Sequence, residues 1–320
     1  MQPPRRRPLG ATGLQVSELS LGSWRTYERL PRDAGVAVMR TALEAGINFL
    51  DDARYNDETG TAPIATGYSE VVFGELFRAV GWERDQVVVA NKLWWEFWPQ
   101  QTAAAELEAS LTRMGFDHID LVYTAPPPQG LPVEAMVGAV TELVSSGKAR
   151  AWGVLNWPPA LLAEAAGVAT GDGLPGPCAT QLPYSLVQRS PVEDPAVLQV
   201  LRSHGIGVVA SAVMAGGVLT GKYTAAAPTG RMAGQLDDPR IRPALAAGDA
   251  LRAQAEATGV GPAALAIAFA LANPAVTSVL FGATTPRQVL DDLAALDVLA
   301  TLDERRLAEL RDIGTAHPDP

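Results

Sequence analysis

The sequence predicts a (β/α)8 barrel preceded by a small β-hairpin, on three observations. Eight short apolar runs of strand length alternate with amphipathic helical patterns almost from end to end. The clearest helical patterns each stop at a glycine, the residue that most easily adopts a left-handed cap. The residues able to do chemistry gather just after the apolar runs, where the active sites of such barrels lie.

The elements follow in order. Pro8 to Val16, with Gly10 and Gly13 inside it, reads as a hairpin outside the repeat. Glu18 to Leu21 is the first strand run. Asp33 to Ala45 puts Val36, Met39 and Leu43 on one helical face and stops at Gly46. Ile47 to Leu50 and Val87 to Ala90 are the next strands. Thr102 to Met114 carries Leu107 and Leu111 and stops at Gly115. Strand Ile119 to Tyr123 follows. Val133 to Ser146 carries Met136, Val140 and Leu143 and stops at Gly147. The remaining strands are Ala151 to Val154, Ala179 to Leu182, Gly207 to Ala210 and Ser278 to Leu280. Leu219 to Arg242 is the longest irregular stretch, either a loop over the site or a plain connector. A doubly wound sheet is the alternative topology, but no Gly-x-Gly-x-x-Gly follows the first strand. No linker or low-complexity tract divides the chain, so one domain over residues 1–320 is expected.

Composition narrows the function classes. At 48% hydrophobic and 19% charged residues the chain is globular, and 320 residues suit one barrel. A net charge of -10 argues against nucleic acid or an anionic membrane as partner. No run reaches the length of a membrane span. Cys178 stands alone, and His118, His204 and His317 lack zinc-ligand spacing, so neither a disulfide nor a metal site is expected. Arg5-Arg6-Arg7 is followed by Pro8-Leu9-Gly10 rather than an apolar stretch, which speaks against a twin-arginine signal. A cytoplasmic protein acting on a small molecule is the expectation, with a homo-oligomer left open.

Lys92 ends an apolar strand, and Asp51-Asp52-Ala53-Arg54-Tyr55 follows another. An Asp, a Lys and a Tyr brought together there form a proton-donating tyrosine. The carboxylate holds the ammonium, and the ammonium is expected to lower the phenol's pKa from about 10. A structural Asp51–Lys92 ion pair beside a loop aromatic is the plain alternative. Asn156 and Gln181 also fall at strand ends, as do Trp24, Trp94, Trp95, Trp98 and Trp157. With Tyr27 these aromatics suggest a pocket for an apolar or flat ligand, unless they merely cover the barrel top.

Several stretches resemble the aldo-keto reductases, nearest their bacterial and potassium-channel β-subunit branch. They include Leu21-Gly22-Ser23-Trp24, Ala45 to Asp51, Ser69 to Gly74, Asn91 to Trp95, Gly221-Lys222-Tyr223 and Ser278 to Thr284. The resemblance runs from Leu9-Gly10 to about Leu296. It implies the same barrel and NADPH lying extended across the strand ends, with Asp51 and Lys92 matching the family's catalytic pair. Gly282, Thr284, Gln288, Asp291 and Asp292 match the adenosine end. Lys222 and Arg231 match phosphate-contacting positions, and two basic residues beside Ala215-Gly216-Gly217 in an acidic chain suit an anion. Asn156 and Gln181 would meet the carboxamide of the nicotinamide. Ser23, Trp24, Ser211, Met214 and Gly216 would complete the cofactor's surroundings.

Four departures from the family pattern stand out. Tyr55 lies four residues after Asp51 rather than five, and an insertion, Asn56 to Gly67, follows it. Tyr68 is therefore an alternative phenol. Ala125 stands where a catalytic histidine is usual, and His118 precedes its strand and belongs at the other end of the barrel. Leu155 replaces a serine beside Asn156, and Ser211 replaces an aromatic. The expected activity is NADPH-dependent reduction of a carbonyl or conjugated double bond. The alternatives are a regulatory subunit that senses NADP(H) and a non-redox lyase or cyclase.

Overall fold

The computed structural model describes residues 2–224 and 232–316, so Arg231 lies outside the described residues. Strands β1 (Arg6–Pro8) and β2 (Gln15–Ser17) pair antiparallel as the hairpin. The barrel strands are β3 (Leu19–Gly22), β4 (Phe49–Asp51), β5 (Val88–Leu93), β6 (Ile119–Thr124), β7 (Ala149–Leu155), β8 (Ala179–Pro183), β9 (Gly207–Ser211) and β10 (Val276–Phe281). All are parallel, in sequence order around a closed barrel in which β10 returns to β3. Each of the eight expected runs forms one of these strands, with small shifts at the ends.

Helices fill the crossovers: α1 (Arg32–Glu44), α2 (Tyr68–Val80), α3 (Ala103–Met114), α4 (Val133–Ser145), α5 (Pro159–Gly171), α6 (Ser190–Glu193), α7 (Pro195–His204), α8 (Arg242–Thr258), α9 (Pro262–Ala272), α10 (Pro286–Leu293), α11 (Ala295–Thr301) and α12 (Glu304–Ala316). Gly46, Gly115 and Gly147 take φ of +97°, +72° and +76°, as their places after α1, α3 and α4 required. Short 3-10 turns, Ala215–Thr220, Lys222–Thr224, Ala233–Gln235 and Pro239–Ile241, occupy the described part of the irregular stretch. Among the described residues no single helix is long and apolar enough to cross a membrane; α8 and α9 together are, but they meet at 99°.

Two apolar layers hold the barrel. Inside, Phe49, Val88, Leu121, Ala151, Ala179 and Val209 meet Leu9, Leu14 and Val16, so the hairpin plugs the N-terminal end. Outside, the other faces of the strands pack on the helices. Buried on both faces, such strands read as unbroken apolar runs, which is why they were legible.

The α2–α3 contact depends on Gly74. A Cβ there would lie 2.0 Å from the carbonyl oxygen of Met114, the last residue of α3, and backbone held in a helix cannot yield cheaply. Gly74→Ala should therefore destabilise the fold by at least ~1–3 kcal/mol although alanine favours helix. Chemical denaturation with an unchanged m-value would measure this loss, and an unaltered midpoint would refute it.

Candidate active site

Strand ends β4, β5 and β8 converge on one carboxylate. Lys92 Nζ donates to Asp51 Oδ1 at 2.5 Å, and Gln181 Nε2 donates to Asp51 Oδ2 at 3.0 Å. All three side chains are buried. Lys92 Nζ also reaches the Asp52 carbonyl oxygen at 3.3 Å and Tyr55 Oη at 3.5 Å. The last contact is long, as catalytic hydrogen bonds often are before a ligand closes the site.

The one-residue slip between Asp51 and the tyrosine is absorbed locally. Gly67 N–H donates to the Tyr55 carbonyl at 2.8 Å, and Asn56 bridges to Thr66, so the insertion closes on itself beyond Tyr55. Arg54, almost fully buried, ties that loop to the tryptophan segment by donating to Thr66 Oγ1 at 2.8 Å and pairing with Glu96 at 2.7 Å. Tyr68 opens α2 instead, where its hydroxyl accepts from Arg32 at 2.9 Å. Tyr55, not Tyr68, stands beside Lys92.

The electrostatics correct one expectation. Burial first, then neighbouring carboxylates with Asp51 foremost, hold the Tyr55 phenol well above its ordinary 10. Lys92 does not pre-ionise it, because the ammonium is already neutralised by Asp51. Tyr55 is a neutral phenol beside the ammonium.

The aromatic rim divides into two groups. Trp24 is 45% exposed, and Trp94 and Trp98 are half-buried. Trp94 faces Tyr55 with ring centroids 6.3 Å apart. Tyr27, Trp95 and Trp157, expected to line a pocket, instead belong to the outer core and are at most 4% exposed. Left-handed backbone at Trp95 (φ +60°) and Asn156 (φ +56°) breaks the in–out alternation at these strand ends. Trp95 N–H donates to Glu106 Oε2 at 3.2 Å, and its indole N–H donates to Thr124 Oγ1 at 2.8 Å. Trp157 Nε1 donates to the Thr124 carbonyl at 2.9 Å. Both tryptophans therefore brace the backbone that carries Ala125. Glu106, which also accepts from Trp94 N–H at 2.9 Å, was not singled out from the sequence; it comes from α3 and only the fold brings it there.

Among the described residues, the non-glycine residues with positive φ are Arg25, Trp95, Asn156, Ala212 and Ala215. All follow the C-terminal ends of β3, β5, β7 and β9, so the stored strain concentrates on the rim that carries Lys92. A cavity of roughly 790 Å³ opens at the opposite end, lined by Pro8, Arg202, Asn273 and Arg311 among others. No group of the Asp51 network touches it, and that end of such barrels serves stability.

The remaining expected residues extend along the same rim. Asn156 is exposed, and its N–H donates to the Gln181 carbonyl at 2.9 Å. Gln181 has its amide donor on Asp51. Ser211, which ends β9, and Met214, which follows it, are half-buried. Gly216 and Gly217 take φ of +69° and +92°, and a Cβ on Gly217 would come 3.0 Å from Lys222 Nζ. That glycine turn under an ammonium fits a phosphate. Gly282, Thr284 and Gln288 are exposed at the start of α10, where Gln288 Oε1 accepts from Thr284 N–H at 2.7 Å. Asp291 pairs with Arg287 at 2.8 Å. Asp292 is buried, and burial beside Asp291 pushes its carboxyl up to about 8.

Comparison with known proteins gives consistent matches. A sequence profile described as the aldo/keto reductase family matches residues 18–314. A protein of Oryza sativa subsp. japonica, described as a probable voltage-gated potassium channel subunit beta, is 31% identical over 97% of this chain and 96% of its own length. One of Arabidopsis thaliana with the same description is 30% identical over 97% of this chain and 96% of its own length.

Proposed function

Because the chain belongs to the aldo/keto reductase family, we propose that it is an NADPH-dependent oxidoreductase that reduces a carbonyl or conjugated double bond of a bulky apolar small molecule. The observation that carries this reading is the buried Asp51–Lys92 pair with Tyr55 beside it at the strand ends. NADPH, when bound, supplies the hydride. Gly216, Gly217 and Lys222 would hold its phosphates, Asn156 and Gln181 its carboxamide, and Gly282, Thr284, Gln288, Asp291 and Asp292 its adenosine end.

Tyr55 Oη donates its proton to the substrate oxygen or to the carbon that gains it. Lys92 stabilises the phenolate left behind, and Asp51 keeps Lys92 charged and aimed. Gln181 fixes the second oxygen of Asp51, so the lysine has one position rather than two. Trp24, Trp94 and Trp98 offer the substrate apolar surface, with Ala125 on the same rim.

A second reading, an NADP(H)-binding regulatory subunit, is favoured by the descriptions of the relatives as channel subunits. Mixing the purified protein with NADPH and panels of aldehydes and enones, while following cofactor absorbance, separates the readings. Oxidation with an enone or bulky carbonyl supports the reductase. Tight NADPH binding with no oxidation across both panels favours the regulatory role. Substrate conversion without oxidation indicates a lyase or cyclase.

NADPH should bind more tightly than NADH, and Lys222→Ala should remove about ten- to a hundredfold of that affinity, the worth of one charge-assisted phosphate contact. Titration by tryptophan quenching reads both numbers. Equal affinities for the two cofactors, unchanged in the variant, would remove Lys222 from the site.

A further inference from the structure

A second carboxyl lies directly beneath the proposed catalytic pair. Asp52 has no solvent exposure. Its backbone N–H donates to the Ala90 carbonyl at 3.0 Å, and its carbonyl faces Lys92 Nζ. Its Oδ1 accepts a hydrogen bond from the Ser23 hydroxyl, which joins the end of β3 to the end of β4. Its Oδ2 is sealed from water and has no partner. The Tyr27 hydroxyl is likewise buried and unpartnered, and burial holds that phenol up.

The nearby cations are committed elsewhere. Lys92 is paired with Asp51, and Glu70 on α2 takes Arg113 at 2.5 Å and Asn91 at 2.9 Å. The charged and titratable groups facing Asp52 are thus Lys92 from β5, Glu70 from α2, Tyr27 after β3, and Asp51 and Tyr55 on its own segment. A buried carboxylate with one bare oxygen and no cation of its own is costly, whereas a neutral carboxyl is not.

We infer that Asp52 is a positioning residue that works uncharged: as a neutral carboxyl it ties Ser23 to the strand end beside Lys92, and as a carboxylate it would counter the ammonium on which Tyr55 depends. Burial and the Glu70 charge hold its carboxyl well above the usual range, in keeping with this geometry. With Asp52 neutral, the Asp51–Lys92 pair carries no net charge and Lys92 can accept a phenolate at Tyr55. Once Asp52 releases its proton to solvent, two carboxylates face one ammonium and Tyr55 gives up its proton less readily. Activity should fall as pH rises through the titration of Asp52. Stability has the same sign: above the unfolded carboxyl's pKa of about 3.9 the folded state keeps a proton the unfolded chain has lost, so stability declines with pH up to the folded value.

The inference rests on Tyr55 being the proton donor, and two readouts keep the two ideas apart. The infrared difference between the wild-type protein and Asp52→Asn at neutral pH should contain the carbonyl stretch of a protonated carboxyl. That measurement needs no turnover, and absence of the stretch overturns the inference even if the protein is an active reductase. The second readout is the pH profile of kcat/KM. Asp52→Asn should keep near-neutral activity and lose the alkaline fall, or move it up by at least about one pH unit. Ser23→Ala, which removes one of the groups that favour the charged form and leaves the Ala53 N–H and Lys92 in place, should shift the fall upward by less. Unchanged profiles in both variants overturn the coupling to Tyr55. If no variant turns over anything, the reductase reading fails while the infrared result still decides the state of Asp52.

Discussion

Tyr55→Phe is expected to lower turnover by about a hundredfold or more while leaving NADPH affinity nearly intact, because a positioned proton donor contributes roughly 10²–10⁴ to rate. The substitution removes one hydroxyl and almost no volume, and that hydroxyl's one described hydrogen bond is the long contact from Lys92. Lys92→Met should also abolish turnover, but it is the less clean test. It strands Asp51 as a buried carboxylate, and breaking such a pair costs about 3–5 kcal/mol. Loss of activity in that variant must therefore be read beside its melting curve. Tyr68→Phe is the control: its hydroxyl serves Arg32, so activity should survive. An inactive Tyr68→Phe with an active Tyr55→Phe would mean that the loop after β4 rearranges on binding and that Tyr68 is the acid.

The barrel was legible because its strands are buried on both faces and its first helices end at glycines that must be left-handed. The site was legible where alternation holds. Asp51, Lys92 and Gln181 point inward from β4, β5 and β8, and residues at strand ends in a parallel barrel have few other places to go. It was illegible where alternation breaks. Trp95 and Trp157 follow strands as Trp94 does, yet left-handed backbone at Trp95 and Asn156 turns both rings into the core. Nothing local distinguishes these three tryptophans. Asp52 was hidden for a related reason: it follows β4 in step with outward-facing Leu50, where an apolar residue belongs, and its partner Ser23 comes from another strand end. The Tyr55 phenol was misjudged because the lysine beside it was weighed and burial and the carboxylates acting on the phenol itself were not. Pairwise reading of a sequence counts the nearest opposite charge; a buried site sums all of them.

Ala125 should set the substrate class. Its N–H is fixed to the Leu93 carbonyl at 2.9 Å, and Trp95 and Trp157 hold the preceding Thr124 from two sides, so the position is rigid. The register of β5 against β6, Leu93 opposite Thr124, brings Ala125 to the rim just past the end of β6, the rim on which Trp94 faces Tyr55. A histidine here would fill this space and donate a hydrogen bond to a carbonyl oxygen next to Tyr55. Alanine supplies neither bulk nor donor. A conjugated or cyclic substrate can then sit deeper and present a carbon beyond its carbonyl to the hydride, whereas a small aldehyde lacks its second anchor. The wild type is therefore expected to be poor on simple aldehydes. Ala125→His should raise their kcat/KM by about 10²–10³, the usual worth of one well-placed donor to a developing oxyanion, and lower activity on bulky enones by excluding them. Parallel kinetics on one small aldehyde and one cyclic enone test both halves. If the wild type already reduces the aldehyde as well as Ala125→His does, the missing histidine does not define the chemistry of this site.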